Sequence, residues 1–342
     1  MRQRDVVGTA LVGAAGVVGT LAWRRARGRR FTFHHCSVLI TGGSRGLGLV
    51  MARQLVAQGA RVTLLARDSD ELDRAAADLR RNDPAAQVLT VRADVRQRRD
   101  VDYAVELAIG RFGRIDVVIN NAGVIQTGPF DHMTLADYEN AMNTHFWGPL
   151  HMTLAVLPHM RRQRGGRIVN ISSIGGRIPV PHMLPYSASK FALTGLSDGL
   201  RAELAHEKIL VTTVFPGLMR TGSPPNATFK GRHEEEYAWF AAADSMPAIS
   251  IAAERAARQI LNATRRGSAE LVITLPAKLA ILARTLAPET FARTMQLTNQ
   301  LLPSPTGASG DIPKQGRDSE SAWAPSALTA ATYAAARRNN EL

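Results

Sequence analysis

Between residues 36 and 275, short runs of β-branched and aliphatic residues alternate with amphipathic stretches of helical length, and few folds accommodate that alternation. Strands are predicted near 36–41, 61–66, 87–92, 116–120, 166–172, 209–215 and 270–274. The expected fold class is α/β: a Rossmann-type, doubly wound, seven-stranded parallel sheet in a three-layer α/β/α arrangement, forming a single domain with extra N- and C-terminal segments. Such sheets bind ligands beyond the carboxyl ends of their strands, so chemistry is sought just after each strand.

The chain divides into an apolar segment with a basic flank (1–35), the alternating α/β domain (36–275), a helical extension (276–302) and a tail (303–342). The tail mixes Pro, Ser, Gly and charge without an apolar period, so it is expected to be mostly disordered, with a marginal helix over Ala327 to Arg338. Residues 6–23 carry no charge and are about as long as the minimum that spans a bilayer as helix. A membrane anchor, a buried or surface helix and a cleaved signal peptide all fit this segment. Seven arginines against one aspartate in residues 1–30 lie mostly after the apolar run, which favours an anchor holding the domain on the cytoplasmic side. These residues supply +6 of the formal charge of +13, and the remainder has no basic, aromatic-interleaved stripe, so nucleic acid is not an expected partner. The single cysteine, Cys36, excludes an intrachain disulfide, and no Cys/His spacing suits a metal.

After the first strand, Thr41-Gly42-Gly43-Ser44-Arg45-Gly46-Leu47-Gly48 opens a helix. Glycines there let the backbone approach a pyrophosphate, whose charge the helix N-terminus favours; an ordinary glycine-rich turn is the bland alternative. No carboxylate occupies the end of the second strand, Leu64-Leu65-Ala66-Arg67, where NAD would need one for its ribose hydroxyls, although Asp68 follows. Arg67 and Arg45 could instead pair with a ribose phosphate, which points to NADP(H), while a solvated Arg67 is the competing reading. Asp94 and Val95 after the third strand, and Asn121, Ala122 and Gly123 after the fourth, fall where the adenine half would lie.

Tyr186 and Lys190 are four residues apart, on one face of a predicted helix. A phenol with its ordinary pKa near 10 exchanges protons poorly at neutral pH unless a cation stabilises its phenolate, and Lys190 supplies one. The segments TGGSRGLG, ADV, NNAG, Ile171-Ser172-Ser173, YSASK and Pro216-Gly217 occur in an order that resembles the short-chain dehydrogenase/reductase family over residues 36–275. The resemblance implies Ser173, thirteen residues before the tyrosine, as the residue that binds the substrate oxygen, with Ser172 structural. It implies Asn143 as the fourth member of a catalytic tetrad with Ser173, Tyr186 and Lys190. His145 is read as a packing residue beside Phe146 and Trp147. Lys190 and Tyr186 would also contact the nicotinamide ribose, and Pro216, Gly217 and Thr221 the nicotinamide amide.

Residues 218–246 are expected to cover the substrate, and Tyr237, Trp239 and Phe240 either wall a lipophilic substrate or pack the lid. Leu279, Leu282, Leu286, Phe291 and Met295 recur at near-helical spacing in the extension, which reads as a lid helix or a membrane-facing surface. The resemblance implies a homodimer or homotetramer acting on a small carbonyl or alcohol. Two other functions use the same fold: a non-catalytic dinucleotide sensor, against which all four tetrad residues argue, and a membrane-surface scaffold dependent on the basic N-terminus.

Overall fold

The computed structural model describes residues 31–246, 249–321, 324–326 and 329–342. The apolar segment 6–23 lies outside them; among the described residues no helix is long and apolar enough to cross a membrane.

Seven strands form the central sheet: β1 (Ser37–Thr41), β2 (Arg61–Ala66), β3 (Val88–Arg92), β4 (Val117–Asn120), β5 (Gly166–Ile171), β6 (Ile209–Phe215) and β7 (Glu270–Val272). Their order is β7-β6-β5-β4-β1-β2-β3, with every pair parallel. The winding direction reverses between β1 and β4, where Thr41 pairs with Asn120, and a crevice opens beyond a reversal of this kind.

Alternation along each strand divides the core into two layers. Val38, Ile40, Val117, Ile119, Val169 and Ile171 face helices α1 (Gly46–Val56), α2 (Ser69–Asn82) and α8 (Ala253–Arg266). Leu39, Val118 and Ile168 face α3 (Arg98–Phe112), α5 (Gly148–Arg162) and the end of α6 (Leu184–Leu204). A strand's side chains alternate in direction, so nearly continuous apolar runs serve both layers at once. Helix α8 shows the complementary rule: Ala253, Ala256, Ala257, Ile260, Leu261 and Thr264 are buried at helical spacing, and the helix stops at Gly267, in the left-handed region.

Between α4 (Leu135–Met142) and α5 the chain makes one π-helical turn over Asn143–Trp147. Residues 218–246, read from the sequence as a lid, contain α7 (His233–Ser245), whose Tyr237 and Phe240 pack inward on Phe229. Helices α9 (Leu275–Leu286) and α10 (Pro288–Gln300) bury only Ala277, and Leu279, Leu282 and Leu286 are exposed.

The expectation of a mostly disordered tail is corrected by the structure. Lys314–Gln315 adds antiparallel to Thr228–Phe229, and helix α11 (Ala330–Arg338) packs on the lid through Ser245–Thr332 and Tyr237–Tyr333 hydrogen bonds. Small buried residues, Thr332, Ala335 and Ala336, let α11 approach closely. A polar, alanine-rich composition hides such a segment from a reading based on apolar periodicity.

Candidate active site

The glycine loop is built as the spacing of its glycines requires. Gly42 and Gly46 have φ of +62° and +55°, in the left-handed region. A Cβ on Gly48 would lie 2.0 Å from the Gly42 carbonyl oxygen, so only glycine fits there. Thr41 Oγ1 accepts hydrogen bonds from the backbone N–H of Asn121 and of Ala122 (2.9 and 3.0 Å), and the Asn121 amide donates to the Gly42 carbonyl at 3.1 Å. The NNAG segment thus braces the glycine loop. Leu47 is buried in the adjoining core layer and Gly123 is exposed beside His145.

At the end of β2, Asp68 is used as the N-cap of α2, accepting from the Glu71 N–H at 2.9 Å. Arg67 is exposed. Arg45 pairs with Glu71 at 2.8 Å and donates to Asn226, while Ser44 donates to the other Glu71 carboxylate oxygen. Asp94 is held by Arg96 at 2.6 Å, next to the buried Val95. Pro216 accepts from the Ile174 N–H, a Cβ on Gly217 would meet Thr274, and Thr221 is buried with its hydroxyl 2.7 Å from that of Ser223.

Helix α6 carries Tyr186 and Lys190 one turn apart, and the loop after β5 brings Ser173 to them. Ser173 Oγ accepts from the Gly175 N–H at 3.0 Å, and a Cβ on Gly175 would lie 3.2 Å from the Tyr186 ring and 3.5 Å from Ser173 Oγ, so the two side chains converge on one point. Ser172 is buried against the α6 backbone and Thr194, away from the hydroxyl pair. Lys190 is buried, its Nζ 5.6 Å from the centre of the Tyr186 ring and donating to the Ile171 carbonyl at 2.9 Å. Burial brings its ammonium down to about 7 and pushes the Tyr186 phenol up to about 12. In this arrangement burial, not the Lys190 charge, is the largest influence on the Tyr186 phenol.

The structure does not bring Asn143 into this cluster: it is exposed at the start of the π-helical turn. His145 is there instead, buried, with its ring 5.3 Å from that of Tyr186 and edge-on at 86°. Its Nε2 accepts from the Val124 N–H at 3.1 Å, so the neutral ring carries its proton on Nδ1 and donates to Ser189 Oγ at 2.7 Å. Ser189 in turn donates to the Tyr186 carbonyl at 2.8 Å. Burial, together with the Lys190 charge, holds His145 well below the ordinary histidine range. The extra residue of the π turn rotates the helix face, and a straight helix gives no means of reading that offset from the sequence.

Asp244 of the lid and Glu341 of the tail are also unsignalled by local motifs. Asp244 is buried and Glu341 half-buried beside the site, and desolvation pushes their carboxyls up to about 8 and about 7.

Residues 37–228 match the profile of the short chain dehydrogenase family. The chain is 33% identical over 289 residues to dehydrogenase/reductase SDR family member 7B of Bos taurus, covering 83% of this chain and 86% of that protein. It is 39% identical over 187 residues, 54% of its length, to the 11-beta-hydroxysteroid dehydrogenase-like 4A protein of Arabidopsis thaliana, and spans 62% of that relative's length. Among solved structures, a short-chain dehydrogenase from Streptomyces avermitilis superposes with a TM-score of 0.67 at 29% identity, over 78% of this chain and 97% of that one.

Proposed function

The chain belongs to the short-chain dehydrogenase/reductase family of nicotinamide-dinucleotide oxidoreductases, and from that premise we propose that it interconverts a lipophilic ketone and its alcohol using NADP(H). The observation that carries this reading is the convergence of Ser173 and Tyr186 beside Gly175, with Lys190 one helical turn away, at the crevice beyond the glycine loop.

The donor set suits a dinucleotide. Gly46 N–H and Gly222 N–H already point at acceptor oxygens of the tail, as they would at a pyrophosphate, and the Gly48 approach leaves no room for a side chain. Leu47, Val95, Ala122 and Gly123 border the adenine half in this reading, with Asp94 and Asn121, and Pro216, Gly217 and Thr221 border the nicotinamide. The reduced nicotinamide supplies hydride when bound. Ser173 Oγ donates to the substrate carbonyl oxygen, where negative charge develops, and Tyr186 delivers the proton to that oxygen. Lys190, one helical turn from the Tyr186 ring, holds the ribose hydroxyls. The apolar lid cluster around Phe229, Tyr237 and Phe240 extends to Tyr186, and the plant relative's name denotes a hydroxysteroid; both support a lipophilic substrate.

For NADP(H), the support is that Asp68 is occupied as a helix cap, leaving Arg45 and Arg67 to receive a ribose phosphate in competition with Glu71. Full-length protein, assayed with aliphatic, aromatic, steroid and acyl-thioester ketones, is expected to favour NADPH over NADH in kcat/KM by at least about tenfold, the worth of one charge-assisted contact. Arg45→Ala and Arg67→Ala should each remove most of that advantage and leave the NADH value within about twofold. A parent enzyme that prefers NADH overturns the assignment.

His145 takes the positioning place that Asn143 does not fill. His145→Leu should lower kcat by about 10- to 100-fold with KM nearly unchanged, because a small displacement of Tyr186 costs that much. His145→Gln, which can still accept from Val124 and donate to Ser189, should recover most of the loss, and Asn143→Ala should leave kcat within about twofold. A kcat that falls with Asn143→Ala and not with His145→Leu reverses the two roles.

A further inference from the structure

The strands and loops that form the dinucleotide crevice are closed over by a segment of the same chain. Asn339 accepts the Gly46 N–H at 2.9 Å through its carbonyl, at the first turn of α1. Its side chain takes a 2.7 Å hydrogen bond from Arg53, which also donates to the Arg338 carbonyl at 2.8 Å. The Asn340 amide donates to the Ser44 and Glu71 carbonyls at 2.9 and 3.0 Å, while its oxygen accepts from Arg74 at 2.7 Å. Glu341 then crosses the crevice. One carboxylate oxygen accepts the Gly222 N–H at 2.6 Å, the other lies 2.7 Å from where a Cβ on Gly46 would stand, and the Glu341 carbonyl accepts from Asn226 at 2.9 Å. Three consecutive residues thus bridge the glycine loop and the segment after Thr221, which are the two walls between which a pyrophosphate must lie.

We infer that Asn339–Glu341 is a built-in competitor of the dinucleotide, seated in the pyrophosphate cradle between Gly46 and Gly222, and that dinucleotide binding requires its displacement. The inference rests on the dinucleotide reading above and adds regulation of that same site. Two features make the seated state easy to leave. The Asn339 side-chain nitrogen is buried without a hydrogen-bond partner, a cost recovered on release into water. Glu341 is half-buried among carboxylates, with Glu71 and Asp244 as neighbours and Arg45 as the opposing charge, so its seat gives it less solvation than open water would. Helix α11 and the strand at Lys314–Gln315 remain as a tether, so release needs only the last turn to detach. The apparent affinity for the dinucleotide is then lowered by the fraction of molecules whose cradle is open.

The test compares full-length protein with a full-length Asn340→Ala, Glu341→Ala double variant, using fluorescence titration with NADPH and with NADH, and hydrogen exchange of residues 330–342 before and after dinucleotide addition. The variant should bind dinucleotide at least about tenfold more tightly, corresponding to a cradle that is about nine-tenths closed in the parent. Exchange of residues 339–341 in the parent should rise when dinucleotide is added. Equal or weaker binding by the variant, or unchanged protection of these residues in dinucleotide-saturated parent, overturns the competitor. Failure of parent and variant alike to bind either dinucleotide overturns both this inference and the reading of the site on which it rests.

Discussion

Tyr186→Phe is expected to lower kcat for carbonyl reduction by about 10²- to 10⁴-fold, the usual contribution of a positioned general acid. The substitution deletes one oxygen and keeps the ring, so the edge-on contact with His145 and the approach of Lys190 to the ring face survive. Dinucleotide affinity should therefore stay within about threefold of the parent, and the loss should appear in kcat and in kcat/KM equally, the signature of an interaction made in the transition state. The Ser173 hydroxyl keeps its hydrogen bond from the Gly175 N–H, so no collapse of the loop after β5 is expected. Stopped-flow measurement of NADPH oxidation with saturating ketone, beside a dinucleotide titration, separates these outcomes. Turnover that survives in the variant would remove Tyr186 from the chemistry.

Gly48→Ala is the second large effect, and its cause is steric. The new Cβ would stand 2.0 Å from the Gly42 oxygen and 2.9 Å from the Asn121 amide, and the nearer atom belongs to backbone that Thr41, Asn121 and Leu65 already hold in place. Backbone cannot rotate away as a side chain can, so the loop must move. Overpacking of this kind costs about 1–3 kcal/mol, and a larger sum is plausible only if the loop unfolds locally. Thermal melting should fall accordingly, and dinucleotide affinity should drop by at least about 100-fold, since the displaced amides are those that meet the pyrophosphate. Gly195→Ala on α6 is the matched control: no atom lies within 4 Å of its Cβ, and it should be neutral or stabilising by up to about 1 kcal/mol. If Gly48→Ala binds dinucleotide as the parent does, the glycine loop is not the cradle.

Legibility differed sharply between parts of the molecule. The seven strands and the placement of Tyr186 beside Lys190 were readable because each depends on local periodicity or on a fixed spacing along one element, whereas Ser173, on the loop after β5, was singled out by the family resemblance. The braces beneath the glycine loop were half readable: Thr41 and Asn121 were singled out or adjacent to what was, but their hydrogen bonds join β1 to β4 across the sheet. Asn143 and His145 show the limit. Both lie in the five-residue π-helical turn, and which of them faces Tyr186 is decided by that turn's packing.

By itself the sequence determined the doubly wound sheet, the glycine loop and the one-turn separation of Tyr186 and Lys190, because period-2 burial, glycine's access to left-handed backbone and an i,i+4 pair are properties of short stretches of chain. Only the tertiary structure decided that His145 replaces Asn143 beside the tyrosine, that Asp244 is buried near it, and that Asn339–Glu341 sits in the glycine cradle. These are contacts between elements far apart in sequence, made by polar residues whose partners leave no periodic trace, and they exist only once the sheet has brought its loops together.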